Sequence, residues 1–273
     1  MQDNIKKIVS AALAEDVGSG DITAALISEK QIAQAKIISR ESGIFCGIPY
    51  ANEVSFQVNP NIEINWQVKE SDTIFPEQII CEIKGNARSL LVAERTILNF
   101  LQTLSGTATL TYQHVKKLKG TQAKLLDTRK TIPGLRQAQK YAVRCGGGCN
   151  HRIGLYDAYL IKENHIAACG SIEAVVAKAR TQDSSKFLEV EVENLKELQQ
   201  ALDAGVDRIL LDNFSVKEIY EAVAIVQNKV ELEISGNINL DNILDYAKTG
   251  VDYISVGSIT KHIRALDMSM RFY

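Results

Sequence analysis

Proline is scarce in this chain, 4 in 273 residues, and aromatic residues make up only 6%. With 45% hydrophobic and 23% charged residues and no low-complexity tract, the composition excludes disordered and collagen-like chains and describes an ordinary globular protein. Charge of either sign is almost balanced, with 31 Lys and Arg against 33 Asp and Glu. There is thus no global basic field to hold a nucleic-acid backbone or an anionic membrane, and any positive site must be local. No stretch approaches the roughly 20 apolar residues of a membrane span. The five cysteines (Cys46, Cys81, Cys145, Cys149, Cys169) are an odd, thinly spread set, which argues against a disulfide framework. At the N-terminus Ile5, Ile8, Val9, Ala12 and Leu13 recur at helical spacing among charges, the pattern of an amphipathic helix and not of a signal peptide. A cytoplasmic protein is expected.

Also missing are GxGxxG after a strand, GxxxxGK[ST], HExxH and GxSxG, so dinucleotide oxidoreduction, P-loop hydrolysis and serine hydrolase chemistry lose support. What is present falls into two textures. Residues 31–83 carry short β-rich runs (Ala35–Ser39, Ile62–Val68, Gln78–Ile83) between turn signals, predicting an antiparallel or mixed sheet. One apolar stripe through Leu90, Leu91, Leu98, Leu101 and Leu104 then predicts a long helix from about Ser89 to about Thr111. From Leu118 onward six strand-length apolar runs alternate with helical segments, as in a parallel sheet of βα units. The last strand ends, at Glu191, Asp212, Ser235 and Gly257, recur every 21 to 23 residues, the compact repeat of a (β/α) barrel. Domains are expected at 1–110 and 111–265, with 266–273 packing back on the first.

Chemistry in such barrels collects at the C-terminal strand ends, and here those ends are charged or glycine-bearing. Alternation along Leu188–Glu193 puts Glu189, Glu191 and Glu193 on one face, predicted to point into the barrel, against an edge strand with a wet polar face as the plain alternative. Glu191 and Asp212, neighbours on one rim, form an oxygen pair suited to Mg²⁺, although Asp212 alone could simply cap a helix. Between Asp127 and His165 seven cations accompany three acids, whereas between Lys186 and Glu218 eight acids accompany four bases. A basic sector facing an acidic one suits a ligand with anionic groups at one end and a metal-bound pyrophosphate at the other. Arg136, Lys140 and Arg144, spaced by four, read best as a solvated helix face, while Arg129, Arg152 and Lys162 fall at strand or loop ends. Ser235-Gly236-Asn237 and Gly257-Ser258 offer small residues ahead of helices, where backbone N–H groups can meet a phosphate. Cys145, Cys149 and His151 fit zinc spacing poorly, and the two cysteines read as packing residues, while the loop Asn150-His151-Arg152 carries polar groups toward the site.

The segments LAEDVGSGDIT (13–23), AERTILNFLQTLSGTAT (93–109), DTRKTIPGLRQAQKYAV (127–143), GGGCNHRIGLYDAYLIKENH (146–165), EVEVEN (189–194), LLDNF (210–214) and SGNINLDNILDYAKTGVDYISVGSIT (235–260) together resemble the quinolinate phosphoribosyltransferases over nearly the whole chain. The resemblance implies an α/β protein with an N-terminal α/β sandwich and an incomplete, seven-stranded TIM-like barrel. It also implies transfer of phosphoribosyl from 5-phosphoribosyl-1-pyrophosphate to quinolinate, releasing pyrophosphate and CO₂ and leaving nicotinate mononucleotide for NAD biosynthesis. By that resemblance Arg129, Lys130, His151, Arg152 and Lys162 line the quinolinate pocket, and Arg95 comes from the neighbouring subunit of a homodimer or higher oligomer. Glu191 and Asp212 hold the Mg²⁺-bound donor, and Ser235, Gly236, Asn237, Gly257 and Ser258 receive its 5-phosphate. Lys130, Lys162, Glu191 and Asp212 are the expected catalytic set. The chain departs from the family pattern at Asn237, where SGGI is common, and at Lys261, where histidine often stands. Competing readings are a related enzyme acting on nicotinate or another pyridine, and a non-catalytic paralogue.

Overall fold

The computed structural model describes residues 2–273. The elements run α1 (Gln2–Val17), β1 (Ile32–Ser39), β2 (Gly43–Ile44), α2 (Ile48–Val58), β3 (Glu63–Trp66), β4 (Thr73–Ile74), β5 (Ile79–Asn86), α3 (Ala87–Lys117), β6 (Lys124–Leu126) and α4 (Arg136–Cys145). They continue with β7 (Tyr159–Ile161), α5 (Glu163–Cys169), α6 (Ile172–Gln182), β8 (Leu188–Val192), α7 (Leu195–Asp203) and β9 (Arg208–Asp212). Last come α8 (Val216–Val226), β10 (Glu231–Ser235), α9 (Ile243–Ala247), β11 (Tyr253–Ser255), α10 (Ser258–Lys261) and β12 (Met268–Phe272).

Two compact units divide these elements. The first takes the chain to Tyr112, then Thr131–Gly147 and Ile259–Tyr273; the second takes Gln113–Lys130 and Gly148–Ser258. In the first unit an antiparallel sheet of order β12-β1-β5-β3 packs with α1, α2 and α3 around one apolar core. Of the stripe on α3, Leu90, Leu98, Leu101 and Leu104 are buried, joined by Ala93 and Ile97, whereas Leu91 is only half-buried. Each fully buried leucine or isoleucine contributes about 1.5–3 kcal/mol by leaving water. On α1 the face carrying Ile5 and Val9 is the buried one. The helix α2 interrupts a stretch that sequence patterning reads as strands only; Pro49 in its first turn and the i, i+1, i+4 set Tyr50, Ala51 and Val54 turned inward account for it. Residues 268–272 pair antiparallel with β1, Ser39 opposite Met268 and Ala35 opposite Phe272.

The second unit is a parallel six-stranded sheet of order β6-β11-β10-β9-β8-β7, each strand matching a predicted run to within two residues. Beyond β6 the sheet gains a single parallel bridge, Leu126 to Cys149, where the family resemblance implies a seventh strand. The three glycines before Cys149 and the run of bends from Ile153 onward bracket this single pairing. One helix start is capped as the sequence indicates: Ser215 Oγ accepts the Glu218 N–H while the Glu218 carboxylate accepts the Ser215 N–H, a reciprocal capping box opening α8.

Candidate active site

The strand β8 sets the chemistry of the second unit. Leu188, Val190 and Val192 are fully buried on one face, and Glu189 and Glu191 occupy the other. Glu189 is buried and Glu191 half-buried, as alternation predicts, but Glu193 lies past the strand end and is exposed, so the inward row has two members and not three. Glu189 pairs in register with Arg208 at the start of β9, and Arg208 in turn with Glu231 at the start of β10. The Arg208 guanidinium binds Glu231 at 2.8 Å and Glu233 at 3.3 Å, and rests over the rings of Tyr253 and Phe187, 3.9 and 4.9 Å from their centroids. His151 meets the same layer, with Nε2 2.8 Å from Glu189 and 3.6 Å from Glu233. Its Nδ1 accepts the Arg152 backbone N–H at 2.8 Å, which leaves the ring proton on Nε2, toward the carboxylates.

Two buried carboxylates this close cannot both ionise cheaply. Burial pushes the Glu189 carboxyl up to about 7 against the pull of Arg208, and burial together with Glu189 pushes Glu233 up to about 8. The loop that delivers His151 is fixed by Asp127 at the end of β6, which is completely buried. Its carboxylate accepts the His151 backbone N–H at 2.9 Å and the Asn150 side-chain amide at 2.5 Å.

Above this layer a cavity of about 260 Å³ opens at the strand ends, lined by Thr128, Arg129, Lys130, His151, Arg152, Leu160, Lys162, Glu191, Leu210, Glu233, Ser235 and Ser255. Seven of the sequence-predicted site residues thus converge: Arg129, Lys130, His151, Arg152, Lys162, Glu191 and Ser235. Lys162 Nζ donates to Glu191 Oε2 and so joins the basic wall to the acidic one. Arg152 is held by a 3.2 Å bond to the Ala158 carbonyl, and its Nε is buried without a hydrogen-bond partner among the described residues. Burial and the neighbouring Arg129 guanidinium both push the Arg152 pKa below its ordinary value, so the pair of cations is stabilised by any ligand bringing negative charge.

Asp212 does not line the cavity but stands at its edge, taking a 2.7 Å hydrogen bond from Ser235 Oγ and a 2.8 Å bond from the Asn213 amide. Gly236 and Asn237 continue from Ser235. A Cβ on Gly236, whose φ is +106°, would come within 2.2 Å of Asn213 Oδ1. Asn237 takes the left-handed conformation at φ +50°, and its carbonyl accepts from the Asn242 amide at 3.0 Å, which builds the turn ahead of α9. A Cβ on Gly257 would meet the Lys130 side chain at 2.9 Å, so the bare backbone makes room for that lysine; Ser258 follows as the first residue of α10. Arg95 is exposed on α3, in the first unit.

One further sequence reading is corrected here. Lys140 on α4 is buried, so Arg136, Lys140 and Arg144 are not one solvated face. Cys145 and Cys149 fall in different units, and the cysteine near Cys145 is Cys46. Glu233 is a site residue that strand-end chemistry does not mark, because Ser235 ends its strand; the alternation Glu231-Leu232-Glu233-Ile234-Ser235 carries the same signal as β8.

A parallel βα sheet with a cationic cavity, flanked by half-buried carboxylates at its C-terminal edge, defines an enzyme of the open-barrel class with a multiply anionic ligand. Comparison with known proteins makes the assignment narrower. Residues 21–105 match the quinolinate phosphoribosyl transferase N-terminal domain and residues 107–271 its C-terminal domain. A probable nicotinate-nucleotide pyrophosphorylase (carboxylating) of Methanocaldococcus jannaschii is 42% identical over 280 residues, 99% of this chain and 98% of that protein. Its counterpart in Bacillus subtilis is 40% identical over 267 residues, 97% and 92% of the two chains. The solved structure of the nicotinate-nucleotide pyrophosphorylase from Francisella tularensis superposes with a TM-score of 0.97 at 55% identity, covering 100% of this chain and 97% of that one. The chain belongs to the quinolinate phosphoribosyltransferase family.

Proposed function

We propose that the protein transfers phosphoribosyl from 5-phosphoribosyl-1-pyrophosphate to quinolinate with decarboxylation, giving nicotinate mononucleotide, pyrophosphate and CO₂ for NAD biosynthesis. The observation that carries this reading is the convergence of Arg129, Lys130, His151, Arg152 and Lys162 on one small cavity beside Glu191. Two adjacent guanidiniums match two adjacent carboxylates through paired N–H donors, and a monocarboxylate would leave part of that charge uncompensated. Lys162, already paired with Glu191, links the acceptor wall to the donor wall.

The carboxylates of Glu191 and Asp212 are hard oxygen donors, half-buried at adjacent strand ends, and they fit Mg²⁺ held jointly by protein and substrate oxygens. When bound, Mg²⁺ supplies charge neutralisation on the departing pyrophosphate. Glu191, held in place by Lys162, puts negative charge beside the ribosyl carbon, which becomes cationic as pyrophosphate leaves. The Arg129 and Arg152 side chains orient the pyridine so that its nitrogen attacks that carbon. Once alkylated, the ring nitrogen is itself the cation that stabilises the electron pair left at the adjacent carbon when CO₂ departs. Ser235, Gly236, Asn237, Gly257 and Ser258 receive the 5-phosphate on backbone N–H and hydroxyl donors.

The same reading makes the working unit a homodimer, with Arg95 completing the quinolinate pocket of its neighbour. It places the enzyme in the cytoplasm, a reducing compartment that suits five free thiols. Calorimetric titration tests the acceptor assignment: quinolinate binds more tightly than nicotinate, and Arg129→Ala weakens quinolinate by at least tenfold while changing nicotinate less. Equal affinity for the two acids would contradict it.

A further inference from the structure

The first unit holds a side-chain cluster that the transfer reaction does not use. Cys46, in the loop before α2, Glu70, in the loop between β3 and β4, and Cys145, at the C-terminal end of α4, present their sulfur and oxygen atoms within 4.8 Å of one another. We propose that these three side chains form a binding site for a zinc ion, with water as the fourth ligand. Cysteine thiolate and glutamate carboxylate are each zinc ligands, three protein ligands plus water is the arrangement of open zinc sites, and the soft sulfurs disfavour Mg²⁺ and Ca²⁺.

One donor separation already has the length the ion requires, and the third donor lies within 4.8 Å of both. A tetrahedral zinc with Zn–S about 2.3 Å and Zn–O about 2.0 Å sets its sulfur and oxygen ligands about 3.5 Å apart. Cys145 Sγ and Glu70 Oε2 are 3.5 Å apart. The donors are also held in advance. Glu70 Oε1 accepts the Gly47 N–H at 3.0 Å and the Ile48 N–H at 2.6 Å, while Oε2 has a longer 3.2 Å backbone contact to Gly47 and is the oxygen facing Cys145. Cys46 is fixed through its backbone, whose N–H donates to Ser105 Oγ at 3.0 Å and whose carbonyl accepts from that hydroxyl at 3.2 Å. Such supporting bonds orient ligands before the ion arrives.

Charge balance favours the exchange. Without metal the cluster holds itself together by two thiol protons, the Cys145 S–H donating to Glu70 and the Cys46 S–H lying against Cys145. Binding of Zn²⁺ releases both protons to solvent and leaves two thiolates, so the net charge of the buried cluster is unchanged. Cys46 is fully buried, whereas Glu70 and Cys145 are half-buried and offer the way in. The ion would clamp three separate segments of the first unit, and it would stabilise the fold by binding the native state alone.

Cobalt(II) is the spectroscopic probe. Titrated without oxygen into the reduced, full-length protein, Co²⁺ is expected to give thiolate charge-transfer absorption and tetrahedral visible bands that saturate at one ion per chain. Zn²⁺ is expected to bleach both and to raise the melting temperature. Cys46→Ser and Cys145→Ser are expected each to weaken Zn²⁺ binding by a hundredfold or more, Glu70→Gln by about tenfold, and Cys169→Ser not at all. Cys145→Ser, at the half-buried position, carries the test should Cys46→Ser fail to fold. Absence of the charge-transfer band in wild-type protein, or its persistence unchanged in folded Cys145→Ser, would overturn the proposal.

Discussion

Glu233 bears the strongest conflict between burial and charge in the second unit, completely buried and facing both His151 and Glu189. Its carboxyl titrates near 8 in the folded chain against an ordinary 4.5, so the native state keeps a proton that the unfolded chain has already released. The stability contribution is therefore whole below about 4.5, declines as pH rises, and is gone above about 8. Glu233→Gln, which keeps the shape and removes the titration, is expected to flatten the fall of the denaturation midpoint between pH 5 and pH 9. Parallel pH profiles for the two proteins would contradict this. The residue also marks how far the sequence could be read. Arg129, Arg152, Lys162 and Glu191 stand at strand or loop ends, where charge has no packing purpose, so their convergence on one cavity was legible. Glu233 lies inside a strand, where the alternation Glu231-Leu232-Glu233-Ile234 is its only signal and no strand-end position marks it.

At the scale of the element, the βα repeat was legible because short strand-length runs alternate with helical segments and one helix start is marked by a capping box. Ser215 and Glu218 are the plainest case, and their capping box leads from β9, which ends in Asp212, into α8. Ser215→Ala is expected to cost about 1 kcal/mol of stability, read by urea denaturation, with the affinity for quinolinate unchanged. A loss of quinolinate affinity comparable to the loss of stability would show that the cap also shapes the site. The helix α2 was overlooked although its inward set, Tyr50, Ala51, Val54 and Ser55, is helically spaced, because strand-like runs flank it on both sides and one of the four inward residues is a serine. The single bridge at Cys149 was equally hidden, since glycine runs signal a bend without saying where pairing resumes.

At the scale of the whole molecule, the proposal that Arg95 acts across a dimer yields a complementation test. Arg95→Ala and Lys162→Ala damage different parts of one composite site, so a mixed dimer contains one site with both defects and one with neither. Mixing the two inactive variants is expected to restore up to about one quarter of wild-type activity when subunits assort at random. No recovery in verified mixed dimers would contradict the shared site. The bridge between the two sectors of the cavity, Lys162 to Glu191, leads to the most direct test of the account. It is the stoichiometry of turnover with 5-phosphoribosyl-1-pyrophosphate and Mg²⁺, offering quinolinate and nicotinate separately and following pyrophosphate and CO₂ together. The account predicts equal release of both products from quinolinate and none from nicotinate; pyrophosphate release with nicotinate, or no turnover of quinolinate by folded protein, would contradict it.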